Sequence, residues 1–467
     1  MTVLAEGRRR AAATRGVHDR WTGALIGEVA EDGPAEADAA VKTLSGRQAV
    51  PPPAERAEVL ARAADLLEAR AGELAELITA ESGVCRRETD REVVRAAANL
   101  RVASAEALRI RGETILLPSG DRLAVTLREP VGLVAAITPF NRPLNQVVVK
   151  VAPAVAAGCT VLLKPSEQTP LTALRFAELL AEAGLPKDRL AVVTGAPDSL
   201  GPAVAGHPGV DMVTFTGSVR VGRQVAATAA AKRQLLELGG NDPLFVLPDA
   251  DVAAAARLAA DGSCATAGQS CRGVKRIIVW EEVADDLVER LVAAVAAKKA
   301  GDPRSLETDL GPLVTEAAAA EVERRVNAAV DAGAERLVGG DRHGALLEPV
   351  VLDRVPADAE LVQEETFGPV APVLRVRDLD EAVAVSNGTP YGLQAGVVTN
   401  DMEAFWELAA RLRVGAVNLG EGPHFDSPYI PFGGVKASGV GREGIPYAVA
   451  EMTTLKTVTL PRGSGRE

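Results

Sequence analysis

Residues 132–167 read GLVAAITPFNRPLNQVVVKVAPAVAAGCTVLLKPSE, and this stretch decides the fold. The runs 133–138 and 160–163 are apolar without polar alternation, so a strand in either place needs cover on both faces. Between them, 144–157 reads as a helix. Strand, helix and strand of this kind form the unit of a parallel sheet. The alternation continues with strands at 190–194 and 210–215 and helices at 171–183, 198–205 and 220–231. After Leu238-Gly239-Gly240 a second series begins. Its strands lie near 243–247, 276–280, 370–374, 394–398 and 416–419, and its helices near 252–265, 282–299, 315–331 and 379–386. Upstream, 1–16 reads as a tail, 17–30 as a hairpin, 51–83 as a helical hairpin and 87–110 as a long helix. The fold expected is α/β, with two Rossmann-like open-sheet domains and a small β arm. The first domain takes 1–113 and 132–238, the second 239–445, and the arm 114–131 and 446–467. The TTLKTVTL stretch of the arm is a strand that pairs with 114–131 or with another subunit.

At 467 residues the chain can bury sizeable cores, and 47% of it is apolar. Lys+Arg 51 against Asp+Glu 63 gives a formal charge of −12, which argues against a nucleic-acid or anionic-membrane binder. Local basic clusters such as 272–276 still allow a small anionic substrate. Cys85, Cys159, Cys264 and Cys271 are too few for a disulfide framework, so a reducing cytoplasm is expected. No metal-binding spacing, secretory signal or membrane-spanning run is present in the sequence.

The stretch GQSCRG at 268–273 places Cys271 among small residues that let another molecule approach. Arg272, Lys275 and Arg276 follow, and cationic neighbours favour the nucleophilic thiolate. An isolated cysteine is more often a small buried hydrophobe, so the reading depends on what else the chain supplies. Asn141, after the first strand, can donate an N–H towards an oxyanion. Lys164-Pro165-Ser166-Glu167 ends the second strand, where open α/β sheets bind ligands. GSVRVG at 217–222 lacks the Lys and Ser/Thr of a P-loop, but it follows a strand and opens a helix whose N-terminus suits a pyrophosphate. GVGREG at 439–444 fits a dinucleotide fingerprint literally, but too little chain follows it to build the required unit. Glu237 puts a carboxylate at the domain junction.

The ordered set PFN at 139–141, KPSE at 164–167, FTGS at 215–218, LELGG at 236–240, GQSC at 268–271, EETFGPV at 364–370 and PFGG at 431–434 resembles the aldehyde dehydrogenase superfamily, from about residue 18 to 460. The resemblance implies that Cys271 is the nucleophile, that Asn141 helps form the oxyanion hole and that Glu237 is the general base for hydrolysing a thioester. It implies an NAD-binding first domain and a catalytic second one. Lys164 and Glu167 then bind the adenosine ribose, Ser218 contacts the cofactor phosphates with Thr216 and Gly217 also binding the cofactor, and Glu365 and Phe367 take the nicotinamide end. Glu167 accepts both ribose hydroxyls and repels a 2′-phosphate, which favours NAD over NADP. The arm implies a homodimer or homotetramer.

Two positions depart from common family patterns. Arg142 follows Asn141, and Arg272 follows Cys271. By the resemblance both line the substrate tunnel, where arginine suits a phosphate, phosphonate or carboxylate. The alternative is that each pairs with a nearby carboxylate. Arg101 and Arg109 are candidates to join the cluster. His424 and Asp426 belong to the loop bordering the pocket, and Asp426 suits an anionic substrate only if it orients an arginine. The look is that of the lactaldehyde, succinate-semialdehyde and phosphonoaldehyde dehydrogenase branch. A short anionic aldehyde is expected, first a phosphonate-bearing one, with succinate semialdehyde, lactaldehyde and glyceraldehyde 3-phosphate as rivals. An acyl-transferring reductase and a non-catalytic protein of the same fold are the other readings.

Overall fold

A computed structural model describes residues 13–46 and 49–462 in full, and the backbone alone of residues 2–4 and 7–9. Five strands of the first sheet run parallel, in the spatial order Arg233–Glu237, Met212–Thr216, Leu133–Ile137, Thr160–Lys164, Leu190–Val192. Their central residues are buried because helices cover both faces. One face packs on Pro53–Ala69, Arg86–Ala107, Asn145–Ala157 and Pro170–Glu182. The other packs on Pro34–Leu44, Pro197–Ala205 and Val219–Ala229. This double cover is the physical reason the strands read as unbroken apolar runs.

The second sheet has seven strands, ordered Glu335–Val338, Val350–Asp353, Val370–Val376, Arg276–Trp280, Pro243–Val246, Gln394–Val398, Ala416–Leu419. The first of these is antiparallel to its neighbour and the rest are parallel. Thr453–Pro461 pairs antiparallel with Arg122–Pro130 over nine residues, and Thr114–Leu116 adds a third strand. Leu116, Leu127, Leu455 and Leu460 of this arm are exposed.

The structure departs from expectation in several places. The tail expected over 1–16 holds the antiparallel strands Thr2–Leu4 and Gly7–Arg9 and is strand again from Thr14, paired with Leu25–Ala30; residues 1, 5, 6 and 10–12 lie outside those described, as do 463–467 of the arm segment. The segment 239–445 does not stay in one sheet, because Gly439–Val440 adds antiparallel to Leu236 and Glu237 of the first. Ile445–Glu451 is a helix packed on Asn145–Ala157 and Arg86–Ala107 rather than part of the arm. The helices Pro34–Leu44 and Met402–Arg411 and the strands Arg233–Glu237 and Val350–Asp353 extend the expected set.

What matters for function is the edge at which the parallel strands end. Ile137 is in register with Lys164, and Thr216 with Glu237. The segments after those residues therefore leave the first sheet side by side. The chain enters the arm by a close crossing: a β-carbon on Gly112 would lie 1.7 Å from the Thr126 carbonyl oxygen. Thr126 N–H also donates to the Glu113 carbonyl at 2.9 Å. Gly112→Ala should push these strands apart at a cost of about 1–3 kcal/mol. A thermal scan at fixed rate should show a lower midpoint, and an unchanged one would contradict the close crossing.

Candidate active site

Cys271 lies between the helix Val252–Cys264 and the strand Arg276–Trp280. The turn before it is strained: Thr266, Ala267 and Gly268 have φ of 56°, 52° and 72°. Left-handed backbone costs a non-glycine residue about 1–2 kcal/mol, so the surroundings must hold it. Glu88 does much of this, accepting from Thr266 N–H at 2.9 Å and from the Thr266 hydroxyl at 2.8 Å. Arg142 donates to the same hydroxyl at 2.5 Å and to Glu88 at 2.9 Å. Asn141 Nδ2 donates to the Gln269 carbonyl at 2.8 Å, and Gln269 Oε1 accepts from Val314 N–H at 2.9 Å. An amide carries two N–H donors, so the bond to Gln269 fixes Asn141 while leaving it one more. Position 268 admits only glycine, because a β-carbon there would lie 1.9 Å from the Gly368 carbonyl oxygen.

The half-buried Cys271 thiol is pushed up to about 12. Burial is the main cause; Arg272 opposes it, while Glu365, Asp242 and Glu237 add to it. The expectation that the cationic neighbours favour the thiolate is therefore corrected: desolvation and three carboxylates outweigh Arg272. Glu237 ends its strand 2% exposed, with neither carboxylate oxygen hydrogen-bonded among the described residues. Burial raises it well above the usual carboxylate range and Glu443 raises it further, whereas Lys150 and Arg442 pull it down. Lys150 and Glu443 form a buried ion pair, and Lys150 also donates to Thr214 Oγ1 at 3.2 Å. Gly433 makes room here, since its β-carbon would come within 2.6 Å of Glu237 Oε1. The sequence signal for this pair was a lysine inside the apolar helix NQVVVKVAPAVAA.

The residues at the strand ends fit a dinucleotide. Ser218 caps the helix Val219–Ala229, accepting from Val221 N–H at 3.3 Å, and that helix has no acidic residue in its first turn. Lys164 is buried, and among the described residues its ammonium donates only to the Pro165 carbonyl, at 3.3 Å. Burial lowers its pKa, opposed by Glu167. Glu167 is partly exposed; its carboxylate accepts from Gln168 at 3.2 Å, and Arg15 donates to its carbonyl at 2.9 Å. Glu365 accepts from Gly240 N–H at 3.1 Å and is pushed up to about 7 by burial. A β-carbon on Gly239 would fall 2.4 Å from Glu365, so this glycine is a space the carboxylate fills. Phe367 meets Phe140 edge to face at 6.0 Å.

A cavity of about 470 Å³ opens onto Cys271 and Asn141, with Arg142, Arg272 and His424 in its wall. Arg101 and Arg109 do not join them: they pair at the surface with Asp65 and Glu68, and with Glu106. Arg87, Arg91 and Arg95 of the same helix line the cavity instead. Their four-residue spacing puts them on one face, a signal the sequence carried. Arg87 is paired with Asp309 at 2.6 Å and Arg142 with Glu88. Arg95 and Arg272 share Asp426, at 3.3 and 3.0 Å. Arg91 has no ion pair among the described residues. Arg272 also donates to the His424 carbonyl at 3.2 Å and lies 5.8 Å from the centroid of the Phe432 ring. Burial lowers the His424 pKa, and its Nδ1 has no partner among the described residues.

Residues 8–458 match the aldehyde dehydrogenase family. The chain is 42% identical to a 3-sulfolactaldehyde dehydrogenase of Priestia aryabhattai over 412 residues, 87% of this chain and 86% of that one. It superimposes on an NAD-dependent aldehyde dehydrogenase from Sinorhizobium meliloti with TM-score 0.96 and 37% identity, covering 100% and 95% of the two chains. A glyceraldehyde-3-phosphate dehydrogenase from Methanocaldococcus jannaschii, complexed with NADP, gives TM-score 0.93 at 34% identity, covering 97% and 100%. The chain belongs to the aldehyde dehydrogenase family, whose α/β fold it shares, and is an oxidoreductase acting on aldehydes.

A thiol held high by burial gains reactivity only as pH rises. In the free enzyme, alkylation of Cys271 by iodoacetamide should therefore still climb between pH 9 and 10, where an ordinary thiol near 8.5 levels off. A plateau below pH 9 would contradict the desolvated environment.

Proposed function

We propose that the chain oxidises a short aldehyde with an anionic far end to its carboxylic acid, using NAD. The observation that carries this is the arginine-walled cavity opening onto Cys271. Arg87, Arg91 and Arg95 of one helix line it together with Arg142 and Arg272 from two other segments. That suits an anion whose oxygens point several ways, a phosphonate or sulfonate, better than a planar carboxylate. The 3-sulfolactaldehyde and glyceraldehyde-3-phosphate relatives are named for substrates of this charge.

In this reading the Cys271 thiolate adds to the aldehyde carbon, and Asn141 with the Cys271 N–H receives the oxyanion. Lys164 and Glu167 hold the adenosine ribose, residues 216–218 the phosphates, and Glu365 and Phe367 the nicotinamide end. A nicotinamide held there would supply the hydride acceptor. Glu237 takes a proton from the water that cleaves the thioester. Burial raises its pKa, which makes its ionised form a stronger base, and Lys150 and Arg442 oppose that rise. The carboxylate of Glu167 supports NAD over NADP. The arm, with its exposed leucines, supports a homo-oligomer.

The test is a panel of short aldehydes ending in phosphonate, sulfonate, phosphate, carboxylate or a neutral group, assayed with NAD and NADP. Arg272→Ala should raise KM for anionic members about 10- to 100-fold, the range of one charge-assisted hydrogen bond, and leave neutral ones nearly unchanged. Equal effects on both would sink the anionic assignment. Glu237→Gln should let an acyl group accumulate on Cys271, visible as added mass in the intact protein. Its absence, with turnover unimpaired, would remove Glu237 as the base.

A further inference from the structure

Lys275 is a buried cation that the reaction as described does not use. It is 4% exposed and forms no ion pair among the described residues. Its ammonium donates to the Gly268 carbonyl at 2.5 Å and lies 5.4 Å from the centroid of the Phe367 ring. Its backbone N–H is tied to the Asp242 carbonyl at 2.9 Å. Gly268 presses on Gly368, and Phe367 meets Phe140, the neighbour of Asn141. Lys275 thus stands where the nucleophile turn, the Glu365–Gly368 segment and the oxyanion segment touch.

We propose that Lys275 is a positioning residue: its ammonium clamps the left-handed turn ahead of Cys271 against Phe367 and stabilises the Cys271 thiolate. This rests on Cys271 being the nucleophile. A carbonyl and a ring face hold a cation weakly compared with a carboxylate, so part of the charge remains for a nearby anion. Burial lowers Lys275 to about 8, while Glu365, Cys271 and Asp242 support its charged form. Around the thiol, Arg272 favours the anion, and Glu365, Asp242 and Glu237 disfavour it. Cys271 favours the Lys275 ammonium, and by linkage the ammonium favours the thiolate in return. Ionisation moves the thiol proton to solvent, with no covalent step at Lys275.

The experiment uses the full chain with NAD added, and Cys271→Ala as the alkylation blank. Iodoacetamide incorporation at Cys271 is followed from pH 6.5 to 10 in the wild type and in Lys275→Met, Lys275→Gln and Lys275→Arg. Met and Gln should alkylate about tenfold more slowly at pH 7, equivalent to one unit of thiol pKa. The gap should close as pH rises through about 8, where the wild-type ammonium loses its proton. Arg should recover part of the rate. In Met and Gln, kcat should fall while KM for NAD stays within about twofold. Gln keeps a donor for the Gly268 carbonyl without the charge, so it also reports if Met fails to fold. Wild-type alkylation profiles in Gln, or a gap independent of pH, would overturn the electrostatic role. Full activity in Cys271→Ala would instead overturn the nucleophile assignment.

Discussion

The site depends on a backbone constraint, the left-handed path through Thr266, Ala267 and Gly268. Two of these residues carry a β-carbon, so the conformation must be imposed from outside. Helix Arg86–Ala107 of the first core supplies Glu88, and the segment after the first strand supplies Arg142 and Asn141. The second unit contributes Gln269 and Lys275. The turn before Cys271 is thus held from both α/β units at once. The same helix presents Arg87, Arg91 and Arg95 to the cavity. One rigid element therefore fixes both the turn before Cys271 and part of the cavity wall.

The parallel strands were legible because burial on two faces leaves a simple mark, a run with no polar residue. Asn141 and Glu237 stand out in the sequence for a related reason, as polar residues at or just after the end of an apolar strand, whereas Cys271 stands out through the small residues before it. The two-residue strand Gly439–Val440 was not, because it exists only by pairing with Leu236 and Glu237. The Lys150–Glu443 pair joins residues 293 apart, which no local pattern encodes. Arg101 was misplaced for a simple geometric reason: the helix face bearing Arg87, Arg91 and Arg95 looks into the cavity, whereas Arg101 looks towards Asp65 and Glu68. The direction of the Cys271 shift was also beyond the sequence. Arg272 is visible as a neighbour, but the burial that outweighs it, and the carboxylates brought in from 237, 242 and 365, belong to the folded chain.

The arginine pairing also shows how a chain of net charge −12 can keep a cationic cavity. Unpaired guanidinium groups close together would repel and lose hydration. Glu88 and Asp309 each neutralise one and hold it in place. Asp426 serves both Arg95 and Arg272, so it cannot neutralise both, and Arg91 has no carboxylate of its own among the described residues. Arg91 and the Arg95–Arg272 pair therefore carry the positive charge these carboxylates leave, with Glu92 also in the cavity lining. A carboxylate there does not argue against an anionic substrate. It lowers the cost of holding two guanidinium groups together while leaving positive charge for an incoming anion.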